Sequence, residues 1–155
     1  MSQDDLSARL RRLELIELAK TATIAYATAC DHKAVDELRT NVFTNDAVLH
    51  VPNRDFVGVD AVADFYEHSF PEMGARRHFL TNQVADVGDD ERVHVESYFF
   101  FVSADDRSVI GWGQYRDIVV VSDQGPRIAD KTIVLDVRTD LNTGWAMSPT
   151  SEGLP

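Results

Sequence analysis

The chain has 155 residues, 44% hydrophobic and 26% charged, with a formal net charge of −11. One compact domain with a single core is expected at that length. The acidity disfavours a nucleic-acid partner because it repels phosphate, and no Lys/Arg run offers a local exception. The one cysteine, Cys30, excludes an intrachain disulfide and a cysteine-rich metal site.

No apolar run approaches the length of a membrane span, and the acidic start Met1-Ser2-Gln3-Asp4-Asp5 does not read as a secretory signal. We therefore expect a cytoplasmic protein with no membrane partner. Asp5 to Ala29 reads as a helix, with Leu6, Leu10, Leu13, Ile16, Leu18, Ile24 and Ala25 as its apolar positions. Its later part, Thr21 to Cys30, is nearly uncharged and suits burial on most sides, where the Tyr26 hydroxyl needs a partner. Cys30 reads as a buried, inert thiol.

Asp31-His32-Lys33 breaks the pattern. A second short helix is predicted over Ala34 to Phe43 and a short strand over Ala47 to Val51, stopped by Pro52-Asn53. Phe56-Val57-Gly58 leads into a third helix from Val59 to Phe70, ended by Pro71. Long strands follow at Arg76–Val87, Arg92–Ser103, Val109–Ser122 and Arg127–Thr139, separated by Gly/Asp turns. The stretch Gly144 to Pro155 reads as a flexible tail. Helices first and then an antiparallel meander is an α+β pattern. A long curved sheet with three helices on its concave side makes a cone whose mouth suits an apolar pocket.

Within the first long strand, alternation puts His78, Leu80, Asn82 and Val84 on one side. A histidine on an apolar face is most simply a core residue, unless a second group orients it toward a cavity. Asp31, at the end of the first helix, is a candidate for that group; its plainer role is a helix-end turn residue. His94 and Glu96 share a strand face, but two ligands without a third do not make a metal site.

The order of elements resembles the SnoaL-like, or nuclear-transport-factor-like, cone-fold superfamily over about Leu10 to Val137. The carrying segments are Phe43-Thr44-Asn45-Asp46-Ala47-Val48-Leu49, Phe56-Val57-Gly58 and Ala61-Val62-Ala63-Asp64-Phe65-Tyr66. Two patterns are more specific: Tyr26-x4-Asp31 and His78-x-x-Thr81-Asn82. They are similar to the branch that contains scytalone dehydratase, hexachlorocyclohexane dehydrochlorinase and the bile-acid dehydratases.

The resemblance implies an Asp31–His78 catalytic dyad, with Tyr26 as a hydrogen-bond donor. It implies a cofactor-independent lyase of the dehydratase or dehydrohalogenase type, acting on a small hydrophobic substrate. Neutral His78 would abstract a proton while Asp31 fixes its tautomer. Lys131, which falls near the dehydrochlorinase's cationic arginine, or Arg116 would stabilise negative charge. Phe65, Tyr98, Phe100 and Trp112 are the candidate pocket walls. Val51 stands where the superfamily's ketosteroid isomerases carry their base, which disfavours that mechanism. The alternatives are another isomerase or a polyketide-cyclase-type enzyme in the same pocket, or a non-catalytic small-molecule-binding or dioxygenase-β-subunit-like cone. The broad sheet leads us to expect a homodimer or homotrimer.

Overall fold

The computed structural model describes residues 2–104 and 108–140. Helix α1 (Gln3–Asp31) is followed by a short α2 (Val35–Glu37) that runs into a π-helical turn, Leu38–Val42. Strands β1 (Phe43–Val51) and β2 (Arg54–Val57) then form a hairpin, and α3 (Val59–Ser69) ends in a 3-10 turn, Phe70–Glu72. The long strands are β3 (Ala75–Val87), β4 (Val93–Ala104), β5 (Ser108–Ser122) and β6 (Gly125–Asp140). They make one six-stranded sheet in the order β2-β1-β6-β5-β4-β3, antiparallel except where β1 pairs with β6. The fold is the expected α+β cone: three helices and a curved, unclosed, mostly antiparallel sheet. The expected tail lies outside the described residues.

Helix α1 begins at Ser2, whose hydroxyl accepts a hydrogen bond from the Asp5 N–H at 3.1 Å, and Asp4 and Asp5 favour the positive end of the helix dipole. The helix lies along edge strand β3 in the opposite direction. Arg12 pairs with Asp86 and reaches the Val87 carbonyl, Gln83 donates to the Thr23 hydroxyl at 2.7 Å, and Asp31 meets His78. The lengths agree: Asp31 back to Arg12 spans about 28 Å of helix at about 1.5 Å per residue, and His78 to Asp86 about 26 Å of strand at about 3.3 Å per residue.

Residues before Arg12 therefore overhang the sheet, so Leu6 and Leu10 are exposed where the sequence suggested an inward stripe, and Leu13, just beyond Arg12, is exposed as well. Ile24 is exposed too. The buried stripe is Leu15, Ala19, Ala22, Tyr26, Ala29 and Cys30, at spacings of three and four. Small residues dominate its C-terminal half, which lets the helix approach the sheet closely.

Two glycines in β5 make room for aromatic rings on the inner face of the sheet. At Gly111 a Cβ would stand 2.5 Å from the Phe101 ring, and at Gly113 it would stand 1.9 Å from the Val134 carbonyl oxygen and 2.9 Å from the Phe99 ring. The two glycines let the rings of β4 lie flat on the inner face. A bulge in β3 between Thr81 and Val84, with Asn82 in the left-handed region at φ 52°, shifts the side-chain alternation. Gln83, Ala85 and Val87 turn inward and Val84 becomes 68% exposed. This corrects the expected face: His78 and Leu80 lie on the inner side, Asn82 and Val84 do not.

Candidate active site

Asp31 sits at the C-terminus of α1, where a negative charge is unfavourable by about 0.3–1 kcal/mol. Edge strand β3 offsets this. The His78 backbone N–H donates to both carboxylate oxygens at 3.1 Å, and His78 Nδ1 lies 2.7 Å from Asp31 Oδ1. The β3 edge has no further strand to take this N–H, so the carboxylate takes it. Both side chains are nearly buried, 8% exposed for His78 and 10% for Asp31.

A carboxylate only accepts, so the Asp31 contact places the imidazole proton on Nδ1. Nε2 keeps its lone pair and has no protein partner among the described residues. Burial lowers the His78 pKa below its usual 6.5, although Asp31 pulls it up. The ring is therefore neutral at pH 7, as a general base requires.

His78 lines a cavity of about 810 Å³ between the inner sheet face and α3. Its apolar wall includes Val51, Phe56, Phe65, Phe70, Met73, Phe99, Phe101 and Ile133. The polar groups include Tyr26, Tyr66, Tyr115, Arg76 and Arg138. The Tyr26 and Tyr66 hydroxyls are 2.6 Å apart, and burial raises both phenol pKa values well above 10, so both remain proton donors. Cys30 also lines the cavity, with its thiol pushed up to about 12 by burial, and is inert.

The structure brings His78, Asp31, Tyr26 and Phe65 together at this cavity; Asp31 reaches it through His78. Four other expected positions are corrected by strand register. Tyr98, Phe100, Trp112 and Arg116 point to the outer face, because the inner positions of β4 and β5 are Phe99, Phe101, Tyr115 and Asp117. Tyr98 is 52% exposed, Phe100 packs on Phe79 with ring centroids 6.1 Å apart, and Arg116 stands opposite Glu96 on the outside.

Lys131 does face inward but stops short of the cavity. Its ammonium is fully buried, bonded to Asp117 at 2.9 Å and lying 3.9 Å and 3.7 Å from the ring centroids of Tyr26 and Tyr115. Burial lowers the Lys131 pKa and raises that of Asp117, and each charge opposes the other's shift. The β6 cation at the cavity is Arg138, seven residues further along. Val51 lines the wall, so β1 presents no carboxylate at that position. His94 and Glu96 are exposed, and among the described residues no group of three potential ligands could hold a metal ion.

Tyr66, Arg76 and Arg138 went unread as site residues in the sequence. Tyr66 lies on the inward side of α3, but nothing in its spacing announces a hydroxyl partner 40 positions away. Arg76 stands two residues before His78 and so on the same face, a signal that alternation did carry. Arg138 shares a row with the histidine through the register His78–Phe101–Gly111–Arg138, which no single-strand pattern shows.

The sequence matches the SnoaL-like domain over residues 11–132. The chain belongs to that family. A crystal structure of a proposed scytalone dehydratase from Novosphingobium aromaticivorans superposes with a TM-score of 0.70 at 21% identity, covering 90% of this chain and 91% of that one. A proposed aromatic ring hydroxylase from the same organism gives 0.74 at 22% identity, covering 84% and 96%. LinA gives 0.71 at 15% identity, covering 95% and 97%. At these identities the likeness establishes the SnoaL-like cone and not the reaction. No curated protein sequence matches the chain. Among the described residues no helix is long and apolar enough to cross a membrane.

Proposed function

We propose that this SnoaL-like protein is a cofactor-independent lyase that removes a proton and a leaving group from a small, largely apolar substrate. One observation carries the reading: Asp31 accepts both the backbone N–H and the ring Nδ1 of His78, which leaves a neutral Nε2 at the edge of a ligand-sized cavity. That arrangement needs a buried carboxylate at an unfavourable helix end, a disposition that a purely structural turn residue would not require.

His78 Nε2 takes a proton from a carbon made acidic by a neighbouring group. The C–H electron pair forms the new double bond, and the bond to hydroxide or halide on the adjacent carbon breaks. Asp31 stabilises the imidazolium that results. Tyr26 and Tyr66, sharing one hydrogen bond, retain a donor for the leaving oxygen or for an activating carbonyl. Hydroxide leaves as water once protonated, by a tyrosine or by the imidazolium; halide leaves as the anion. The phenol that has given up its proton recovers it from the imidazolium.

The name of one structural neighbour, a proposed scytalone dehydratase, supports elimination. Isomerisation begins with the same proton removal, and product analysis separates the two. The test is a screen of aromatic and alicyclic compounds bearing hydroxyl or halide beside an acidic C–H. Alkene formation is followed by absorbance, together with water or halide release. Wild-type turnover that disappears in His78→Ala is the expected result. Full activity in His78→Ala would sink the mechanism.

A further inference from the structure

Three arginines line the cavity, and the proton-transfer scheme uses none: Arg54, exposed on β2, lies over the Phe56 ring at 4.7 Å, while Arg76 and Arg138 face each other across the sheet. Arg76 stands on β3 two residues before His78, so the two Cα atoms lie about 6.6 Å apart on one face. Its guanidinium carbon lies 4.7 Å from the Phe101 ring centroid, and its Nε is buried with no hydrogen-bond partner. A guanidinium donates in its own plane, so a contact with a ring leaves its N–H edges unused.

Arg138 enters from β6, and among the described residues it has no hydrogen bond or ion pair. The two charges feel each other: burial and then the Arg138 charge lower the Arg76 pKa. The carboxylates nearby do not neutralise them. Asp31 is engaged by His78, Asp64 faces Arg39 at 3.8 Å, and exposed Glu72 forms no ion pair among the described residues. In a chain of net charge −11, Arg76 and Arg138, with Arg54 over the Phe56 ring, give the cavity a local reversal of sign.

We propose that the cavity takes an organic acid, whose carboxylate is held by Arg76 and Arg138 while its apolar body lies against the aromatic wall. A carboxylate satisfies the buried Nε, separates two like charges, and matches the planar donor fork of arginine. The placement of the reacting carbon rests on the lyase reading. With His78 two strand positions from Arg76, that carbon lies within a few bonds of the carboxyl group.

The test is titration calorimetry of the wild-type chain with benzoate, 2-naphthoate and cyclohexanecarboxylate, each paired with its primary amide. At least one acid is expected to bind about tenfold or more tightly than its amide, with the difference shrinking as salt rises. Arg76→Gln and Arg138→Gln each weaken acid binding about tenfold and leave the amide unchanged, the double variant loses the preference, and Arg→Lys restores part of it. His78→Ala keeps the preference. Equal binding of acids and amides, failure of every acid to bind, or a preference that survives in the double variant overturns the proposal. An acid preference without any elimination activity would fail the lyase reading alone. Elimination that depends on His78 but ignores the acid group would fail this inference alone.

Discussion

Replacing Asp31 in two ways separates its structural work from its chemical work. In Asp31→Ala the His78 backbone N–H and ring Nδ1–H both lose their acceptor. Each orphaned donor costs about 1–3 kcal/mol, and removing a charge from the negative helix end returns about 0.3–1 kcal/mol. The net loss is about 1–6 kcal/mol, which at about 2–4 °C per kcal/mol for a chain of this size lowers Tm by about 2–24 °C.

Asp31→Asn keeps an acceptor oxygen and the same shape, so its Tm stays within a few degrees of wild type. Its chemistry does not survive. Two unit charges about 4 Å apart interact by about 4 kcal/mol at an effective dielectric of about 20. With roughly half of the charge developed in the transition state, losing about 2 kcal/mol slows turnover about 30-fold. An amide N–H turned toward Nδ1 also favours the wrong tautomer and adds to the loss. Thermal unfolding reads the first effect, and turnover on the substrate found in the screen reads the second. A third measurement needs no substrate: by NMR titration the His78 midpoint moves further down in Asp31→Asn, because the charge that raised it is gone. An unchanged midpoint, or wild-type turnover in Asp31→Asn, refutes the reasoning.

Lys131→Met leaves Asp117 buried and unpaired, and is expected to cost about 3–5 kcal/mol; Lys131→Met with Asp117→Leu recovers most of the lost Tm in the same unfolding assay. Stability depends on pH in two opposed ways. His78 has a folded pKa below its unfolded value of about 6.5, so the unfolded chain binds more protons and stability falls as pH drops below about 6.5. His50, held by Asp55 at 2.8 Å and Asp130 at 3.2 Å, has a raised pKa, so its contribution is full below about pH 6.5 and fades as pH rises through its folded pKa. Denaturant midpoints across pH should lose the alkaline decline in His50→Asn and shrink the acid decline in His78→Asn. The exposed rings of Phe79 and Tyr98, 51% and 52% accessible on the outer sheet face, lead us to expect a homodimer or homotrimer; light scattering behind size exclusion checks this, and a monomer at micromolar concentration refutes it.

The fold was legible because its elements are long and their punctuation is strong. All four long strands fall within two residues of their predicted ends, since Gly/Asp turns bound runs rich in β-branched and aromatic residues. Strand β2 escaped notice: four residues beyond Pro52-Asn53 carry too short a pattern to read. The dyad partners were legible as a pair only through the resemblance, because Asp31 and His78 are 47 positions apart and nothing local links them.

The pocket walls failed for a different reason. Tyr98-Phe99-Phe100-Phe101 is apolar on both faces, so alternation cannot say which ring points inward. Gly111 and Gly113 decide it, by leaving room for Phe101 and Phe99 on the concave side. A signal was present in the sequence, a Gly-x-Gly inside a strand, but it lies on the neighbouring strand to the residues it positions.

The same edge of the sheet explains why base and anchor come together. At β3 the His78 N–H has no strand partner and draws Asp31 from the end of α1. The aspartate therefore serves as helix terminus, edge cover and ring orienter with one carboxylate. Two positions earlier on the same strand, Arg76 lies over the Phe101 ring, the residue paired with His78 across β3 and β4. Alternation then commits a cation and a base to one wall at a fixed separation of about 6.6 Å. The β3 bulge, beginning three residues beyond His78, limits that commitment: it turns the rest of the strand over, so that Gln83 packs against Thr23 of α1 and does not continue the row. Straightening the bulge would return Asn82 and Val84 to the inner face and detach α1 from the strand that aligns Asp31 with His78.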